Sequence, residues 1–291
     1  MHSDSSIMAH SDGLNTGSHL PVPMQSPPEF PDKDRTISQE EQFSGTSLAS
    51  RCSVWLLRDG KTISKSAVLT RMTEATTMEF VRSRTSIPIP KIYNAYRDKE
   101  TGRVTILMER VEGENLDHAW DGLTGEEKDS ILSQLKGYFA ELRQIEGSYI
   151  GSVDGNACED QHFDYDPGEY GPYEDEDEFT KGLVKAWSQG RGDYALIRIL
   201  CEMALNVVKG HKVVMTHNDF EPRNILVRGG KVVPILDWVR AGFYPEYWEH
   251  CKALWQPRWG SGWLEDQAVN KVLTPYWKEL AIFLHTSDIM W

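Results

Sequence analysis

The alternation of apolar and polar residues changes character along the chain. Residues 53–57 and 61–65 form two strand-like runs around Asp59-Gly60, which suits a β-hairpin turn. Residues 71–84 follow a helical pattern, stopped by Ser86-Ile87-Pro88-Ile89-Pro90, because proline lacks a donor and disfavours helical geometry in the residue before it. Residues 91–98 and 103–111 read as two further strands. Thr124 and Glu127 have the spacing of a capping box ahead of a helix whose apolar stripe is Ile131, Leu135, Tyr138 or Phe139, Leu142 and Ile145. A second helix is expected over 193–208, closed by Gly210. Residues 213–220 and 224–238 then interrupt the helical pattern with short strands and a Gly229-Gly230 turn, and 263–284 return to helix. The pattern predicts an α+β chain. A small β-rich lobe over 44–111 precedes a larger, mainly α-helical lobe over 112–291 with an inserted β-hairpin, and a ligand cleft lies between them.

Residues 1–43 depart from this texture. They hold five prolines (Pro21, Pro23, Pro27, Pro28, Pro31), many serines and two aromatics, Phe30 and Phe43, and read as a disordered tail. The chain as a whole has 291 residues, of which 40% are hydrophobic, enough for a core without metal or disulfide support. Its formal charge of −13 has the wrong sign for a protein that binds nucleic acid or anionic lipid. No apolar run approaches the roughly 20 residues of a membrane span. The first residues carry neither a basic start nor an apolar stretch, so no secretory signal is expected. Cys52, Cys158, Cys201 and Cys251 lack paired spacing, which disfavours a zinc site and a disulfide framework and favours a cytoplasmic setting.

Candidate chemistry concentrates in His217-Asn218-Asp219-Phe220-Glu221-Pro222-Arg223-Asn224, followed by Ile225-Leu226-Val227 and, after the hairpin, Ile235-Leu236-Asp237-Trp238. Asp219 and Asn224 stand five positions apart, and a second carboxylate, Asp237, returns after the next strand. Phosphoryl transfer needs a carboxylate to orient the attacking hydroxyl and accept its proton, and hard oxygen ligands for Mg²⁺. Alone, HxD or DxxxxN is usually a turn with an Asx cap. The order strand, HxD, Asn, strand, Gly-Gly turn, strand, Asp gives the combination its meaning.

This stretch resembles the loop of the aminoglycoside phosphotransferase-like (choline kinase-related) family, which usually reads HGDxxxxNxL with a later IDW or IDF. The resemblance extends to TSIPIPKIYNAY, TILMERVEGENLDHAW, YIGSVDG, GPYEDEDEF and WLEDQ…LTPYWKELA, and so covers roughly residues 44–286. It implies a bilobal protein-kinase-like fold, ATP as donor, Mg²⁺, and transfer of the γ-phosphate to a small-molecule hydroxyl. On this resemblance Asp219 matches the catalytic base, Asn224 a metal ligand, Asp237 the principal metal ligand, and His217 a hydrogen-bonding scaffold. Lys65 and Glu74 match the family's strand lysine and helix glutamate, with Lys61 and Glu79 as fallbacks. Met108, Glu109, Arg110 and Val111 match the connector that binds adenine. The phosphate-covering loop falls on 44–50, with Gly45 and Ser47 as its candidate binding residues.

Two positions depart from the family pattern. Asn218 replaces the usual glycine, which asks for a residue that tolerates positive φ, and the phosphate loop has one glycine. Residues 159–178 hold ten Asp and Glu and no Lys or Arg. A solvated loop is the preferred reading of that segment; a cation-attracting flap, suited to an amine-bearing acceptor, is the other. The sequence therefore points to an ATP- and Mg²⁺-dependent small-molecule phosphotransferase. A catalytically weak pseudokinase and a protein kinase are the alternatives, the second disfavoured by the lack of a long segment after ILDW.

Overall fold

The computed structural model describes residues 42–47, 52–67, 70–99, 101–163, 168–189, 194–255 and 258–290, so the expected tail lies outside the described residues up to position 41. The first strand, β1, is Gln42–Ser47, followed by β2 (Cys52–Leu57) and β3 (Thr62–Ala67). The β2–β3 hairpin is the predicted one, and its turn is held by a side chain. Asp59 Oδ1 accepts from the amides of Lys61 (2.8 Å) and Thr62 (2.9 Å), Oδ2 accepts from Thr62 Oγ1, and Gly60 takes φ +68°.

Helix α1 (Met72–Arg82) comes next, then β4 (Ile92–Arg97) and β5 (Val104–Glu109). The five strands form one antiparallel sheet in the order β1-β2-β3-β5-β4. Within β3, Ile63 and Lys65 are two residues apart and so share one face of the sheet. On α1 the buried positions Glu74, Ala75, Met78 and Val81 follow helical spacing, which sets a carboxylate in the middle of an apolar stripe.

The short β6 (Glu114–Asn115) and α2 (Leu116–Ala119) lead into α3 (Gly125–Leu142). Its capping box is present: Thr124 Oγ1 accepts from the Glu127 amide and Glu127 Oε2 accepts from the Thr124 amide. Its buried stripe is Ile131, Leu132, Leu135, Phe139 and Leu142. Helices α4 (Glu176–Ser188) and α5 (Ala195–Val207) pack against each other. Strand β7 (Val213–Thr216) feeds the HND loop, and the inserted hairpin β8 (Ile225–Arg228) and β9 (Lys231–Ile235) turns through Gly229 and Gly230, both at positive φ. Strand β10 (Gly242–Pro245) returns antiparallel to β7. Helix α6 is Trp248–Trp255. The single helical return expected over 263–284 is three pieces, α7 (Gly262–Glu265), α8 (Ala268–Val272) and α9 (Trp277–Met290). Left-handed Gln267 separates the first two, and Thr274-Pro275 precedes the third.

One apolar core runs from the sheet and α1 through Phe220, Ile225, Ile235 and Trp238 to α3 and α8, so both lobes share it. A second, aromatic core under α4, α5, α6 and α9 contains Phe179, Trp187, Tyr247, Trp248 and Phe283. The architecture is bilobal and α+β, with the late hairpin where the sequence set it. Among the described residues no helix is long and apolar enough to cross a membrane. Thr124→Ala is expected to cost about 1 kcal/mol through the lost cap. In a chain of this size that lowers Tm by about 2 °C, readable by calorimetry.

Candidate active site

Lys65 is the meeting point of three elements. From β3 its Nζ donates to Glu74 Oε1 on α1 at 2.6 Å and to Asp237 Oδ1, just past β9, at 2.7 Å. The Glu74 side chain is 1% exposed and that of Lys65 14%. Burial alone would lower the Lys65 ammonium, but the two carboxylates outweigh it and hold it above its ordinary value. Burial raises the Glu74 carboxyl despite Lys65. At Asp237 burial also pulls upward, yet Lys65 prevails and the carboxyl is lowered. The fallback residues stand apart: Lys61 is exposed, and Glu79 faces Arg82 on the surface of α1.

The HND loop is set by its backbone. His217 Nδ1 accepts from the Asp219 amide (3.3 Å), so Nε2 carries the proton and donates to the Leu236 carbonyl (3.0 Å). The Leu236 amide donates to the Asn224 carbonyl at 2.8 Å. Leu236 is therefore gripped on both sides, and the next residue, Asp237, is delivered in a left-handed conformation with φ +64°. Asn224 Nδ2 donates to Asp219 Oδ2 (2.8 Å) and to the Asp219 carbonyl (2.9 Å), which brings the two motif residues together. Asn218 does take the positive φ the sequence implied, +67°. Its side chain is committed to the fold: Oδ1 accepts from Trp248 Nε1, and Nδ2 donates to the carbonyls of Arg240 and Glu159.

Three residues outside the sequence assignment belong to this constellation. Glu249 is fully buried and accepts the amides of His217 (2.6 Å) and Asn218 (3.0 Å), with burial raising its carboxyl. Its signal was an acid set between apolar and aromatic positions in the run 247–255, since a carboxylate buried there needs donors. Arg223 lies inside the motif itself and donates to Asp219 Oδ1 (2.8 Å), with Glu221 2.7 Å away on its other branch. Lys252 has no motif to mark it; it borders a small cavity of about 100 Å³ beside Asp219.

A larger cavity of about 450 Å³ opens between the lobes. Val54, Ile63, Leu226 and Leu236 give it apolar walls, Lys65, Glu74, Asn224 and Asp237 a charged end, and Met108, Glu109, Arg110 and Val111 an edge. The amides of Glu109 and Arg110 donate to the carbonyls of Lys91 and Lys61.

Two expectations are corrected here. Positions 44–47 of the phosphate loop are strand rather than loop, with Gly45 opposite Trp55 and Ser47 opposite Ser53, because this polar run gains backbone pairing at the sheet edge. Positions 48–50 lie outside the described residues. The acidic segment is also not uncompensated, since its counter-charges come from distant sequence. Lys252 meets Asp160 and Arg71 meets Glu159; Asp160 also accepts from His162, Glu176 accepts from His211, and Asp175 caps α4. Asp164 and Asp166 lie outside the described residues.

With this geometry established, the sequence model of the family described as "Phosphotransferase enzyme family" matches residues 50–283. The chain belongs to this family. Two subtelomeric hrmA-associated cluster proteins of Aspergillus fumigatus are 38% identical over 68 residues, and the match spans 23% of this chain and 13% of the length of those relatives. Among solved structures, a thermostable mutant of aminoglycoside phosphotransferase APH(4)-Ia superposes with a TM-score of 0.57 at 15% identity, covering 84% of each chain. The GDP complex of aminoglycoside 2'-phosphotransferase-IIIa superposes at 0.56 with 13% identity, covering 86% of this chain and 85% of its own. These likenesses show the protein-kinase-like fold.

In this phosphotransferase Lys65→Met leaves Glu74 buried without its cation and is expected to cost about 3 kcal/mol in denaturant unfolding. Because the folded state raises the Glu74 carboxyl, protonation relieves that cost. The deficit relative to wild type should narrow as pH falls from neutral toward the ordinary carboxylate range, and it should do so above the pH at which a free glutamate protonates. At Asn218, alanine loses the side-chain bonds and keeps an unfavourable backbone, whereas glycine loses only the bonds. Asn218→Ala should therefore be less stable than Asn218→Gly by about 1 kcal/mol.

Proposed function

We propose that this phosphotransferase moves the γ-phosphate of ATP to a hydroxyl of a small-molecule acceptor with the help of Mg²⁺. The observation that carries the reading is the meeting of Asn224 and Asp237 at the charged end of the interlobe cavity, with Lys65 fixed there by Glu74 and Asp219 held against Asn224 at 2.8 Å. The apolar walls suit a flat base. The Val111 amide and the connector carbonyls are the polar groups for its edge, because the Glu109 and Arg110 amides already serve the sheet. Solved relatives of the same fold are described with ATP and with GDP, which supports a nucleotide in this cavity.

The donor set also fits Mg²⁺. Among the described residues no group of three or more His, Cys, Asp or Glu could hold a metal alone. Mg²⁺ seldom asks for one, since it is typically bound by one or two protein oxygens together with phosphates and water. Asp237 and Asn224 are the residues that would hold it. Asn224 gives its NH₂ to Asp219, which leaves its oxygen as the ligand atom. When bound, the ion offsets the charge that develops on the phosphate oxygens.

The remaining steps belong to side chains. Lys65 steers the α- and β-phosphates from a position set by Glu74. Asp219 orients the acceptor hydroxyl and takes its proton as the oxygen attacks phosphorus, and Asn224 holds that carboxylate in place. A protein acceptor is disfavoured by the route of the chain, which passes from Asp237 into β10 by Gly242 and leaves no long segment on which a peptide could dock. Among the described residues the buried free thiols Cys158, Cys201 and Cys251 support a cytoplasmic setting.

Asp219→Asn should lower turnover of labelled ATP on a metabolite panel by about 10²–10⁴-fold while nucleotide still raises Tm. Retained wild-type turnover removes Asp219 from this role. Asp237→Ala should instead abolish the Mg²⁺-dependent part of nucleotide affinity, and unchanged affinity in calorimetric titration overturns the metal assignment.

A further inference from the structure

Among the described residues, Arg223 alone borders both cavities, the interlobe one beside Asn224 and Asp237 and the small one beside Asp219. Its backbone is fixed. Pro222 opens a single turn of 3-10 helix over 222–224, the Asn224 amide donates to the Glu221 carbonyl, and the Ile225 amide donates to the Pro222 carbonyl. Asn115 Nδ2 donates to the Arg223 carbonyl at 2.6 Å. The side chain has more freedom, being 52% exposed, and its guanidinium is divided between two carboxylates. Nη2 donates to Asp219 Oδ1 at 2.8 Å, and Nη1 lies 2.7 Å from Glu221 Oε2. These contacts engage two of its five N–H groups. Ion pairs at such exposure hold a side chain only weakly. The other cations of the two cavities have commitments elsewhere: Lys65 to Glu74 and Asp237, Arg110 to the Gly60 carbonyl, and Lys252 to buried Asp160.

A phosphoryl group that leaves the interlobe cavity for a hydroxyl held by Asp219 passes this side chain. Its oxygens are anionic, and the acceptor side of the passage presents Asp219 and Glu221, which repel it unless a cation stands between. We infer that Arg223 is a further catalytic residue, whose guanidinium binds the phosphoryl group in transit and shields it from these carboxylates. In that step the acceptor oxygen forms its bond to phosphorus, and the hydroxyl proton passes to Asp219. The bond from phosphorus to the bridging oxygen of the nucleotide breaks, and its electron pair stays on that oxygen. Asn224 engages Oδ2 of Asp219, so the proton goes to Oδ1, the oxygen that Arg223 holds. Protonation cancels the charge that attracted Nη2, and the guanidinium turns to the phosphoryl oxygens as charge spreads over them. Arg223 keeps its own proton throughout. Glu221 takes no proton in the step, and its contact with Nη1 keeps the guanidinium at the junction of the cavities. The inference rests on the proposed phosphoryl transfer, and the outcomes below separate the two.

The test uses the full chain with ADP and Mg²⁺, titrated by calorimetry with and without aluminium fluoride, which takes the place of a planar phosphoryl group between donor and acceptor. The wild type should bind ADP about tenfold more tightly or better with the fluoride present. Arg223→Met should lose most of that gain, while its Tm and its affinity for ADP alone stay close to wild type. Arg223→Lys should keep part of the gain, because lysine carries the charge without the planar fork. On labelled ATP, Arg223→Met should lower kcat by about 10²–10³-fold with little change in the KM for ATP. An equal fluoride gain in the wild type and Arg223→Met overturns the role. So does a fall in Tm and in affinity for ADP alone in both variants, which marks the side chain as structural. Phosphate transfer by the wild type that Arg223→Met matches overturns the inference and leaves the proposed function standing. A wild type with neither a fluoride gain nor phosphate transfer removes the proposed function and the inference with it.

Discussion

A lysine between two carboxylates holds the two lobes in register. Lys65 belongs to the sheet, Glu74 to the helix packed on it, and Asp237 to the end of the inserted hairpin, so one ammonium ties the small lobe to the loop machinery of the large one. The physical necessity starts with Glu74. A carboxylate on the apolar stripe of α1 is strongly unfavourable unless a cation meets it, and β3 supplies that cation by presenting Lys65 on the same face as Ile63. Once Lys65 is committed to the interior, its second carboxylate partner comes from the other lobe. The open end of the interlobe cavity therefore acquires its charge from an interaction that the fold already requires.

The HND loop follows the same logic with backbone groups in place of a cation. Two consecutive loop amides point into the protein, where water cannot satisfy them, and Glu249 accepts both. His217 and Asn224 grip Leu236 from opposite sides and so set the conformation of Asp237 at a left-handed angle that an aspartate rarely takes. The candidate base, the candidate metal ligands and the lysine are consequently linked through hydrogen bonds to one another or to the same short stretch of backbone. Displacing one of them strains the others.

The acidic segment shows how a charge run in a sequence differs from a charged surface. Its ten carboxylates read together as either a solvated loop or a cation trap. Among the described residues several have separate tasks: Asp160 anchors Lys252 in the interior, Glu176 meets His211, and Asp175 caps a helix. To the space beside Asp219 the described part of the segment contributes Gln161 and no carboxylate.

Much of this protein was determined by sequence-local physics. The Asp59-Gly60 hairpin, the Thr124 cap, the Gly229-Gly230 turn and the periodic stripe of α3 depend on residues a few positions apart, and those appear as read. Asp219, Asn224 and Asp237 were legible because one short loop and one hairpin carry them, and Lys65 and Glu74 because a strand and the helix after it do. Tertiary structure decided the rest. Glu249, Lys252 and Asp160 acquire meaning only through partners dozens of residues away, since whether a charge is buried, paired or facing a cavity is set by which surfaces pack together. For the same reason the strand over 42–47 stayed hidden in a polar run: its stabilisation is backbone pairing with β2, which leaves no mark on side-chain periodicity.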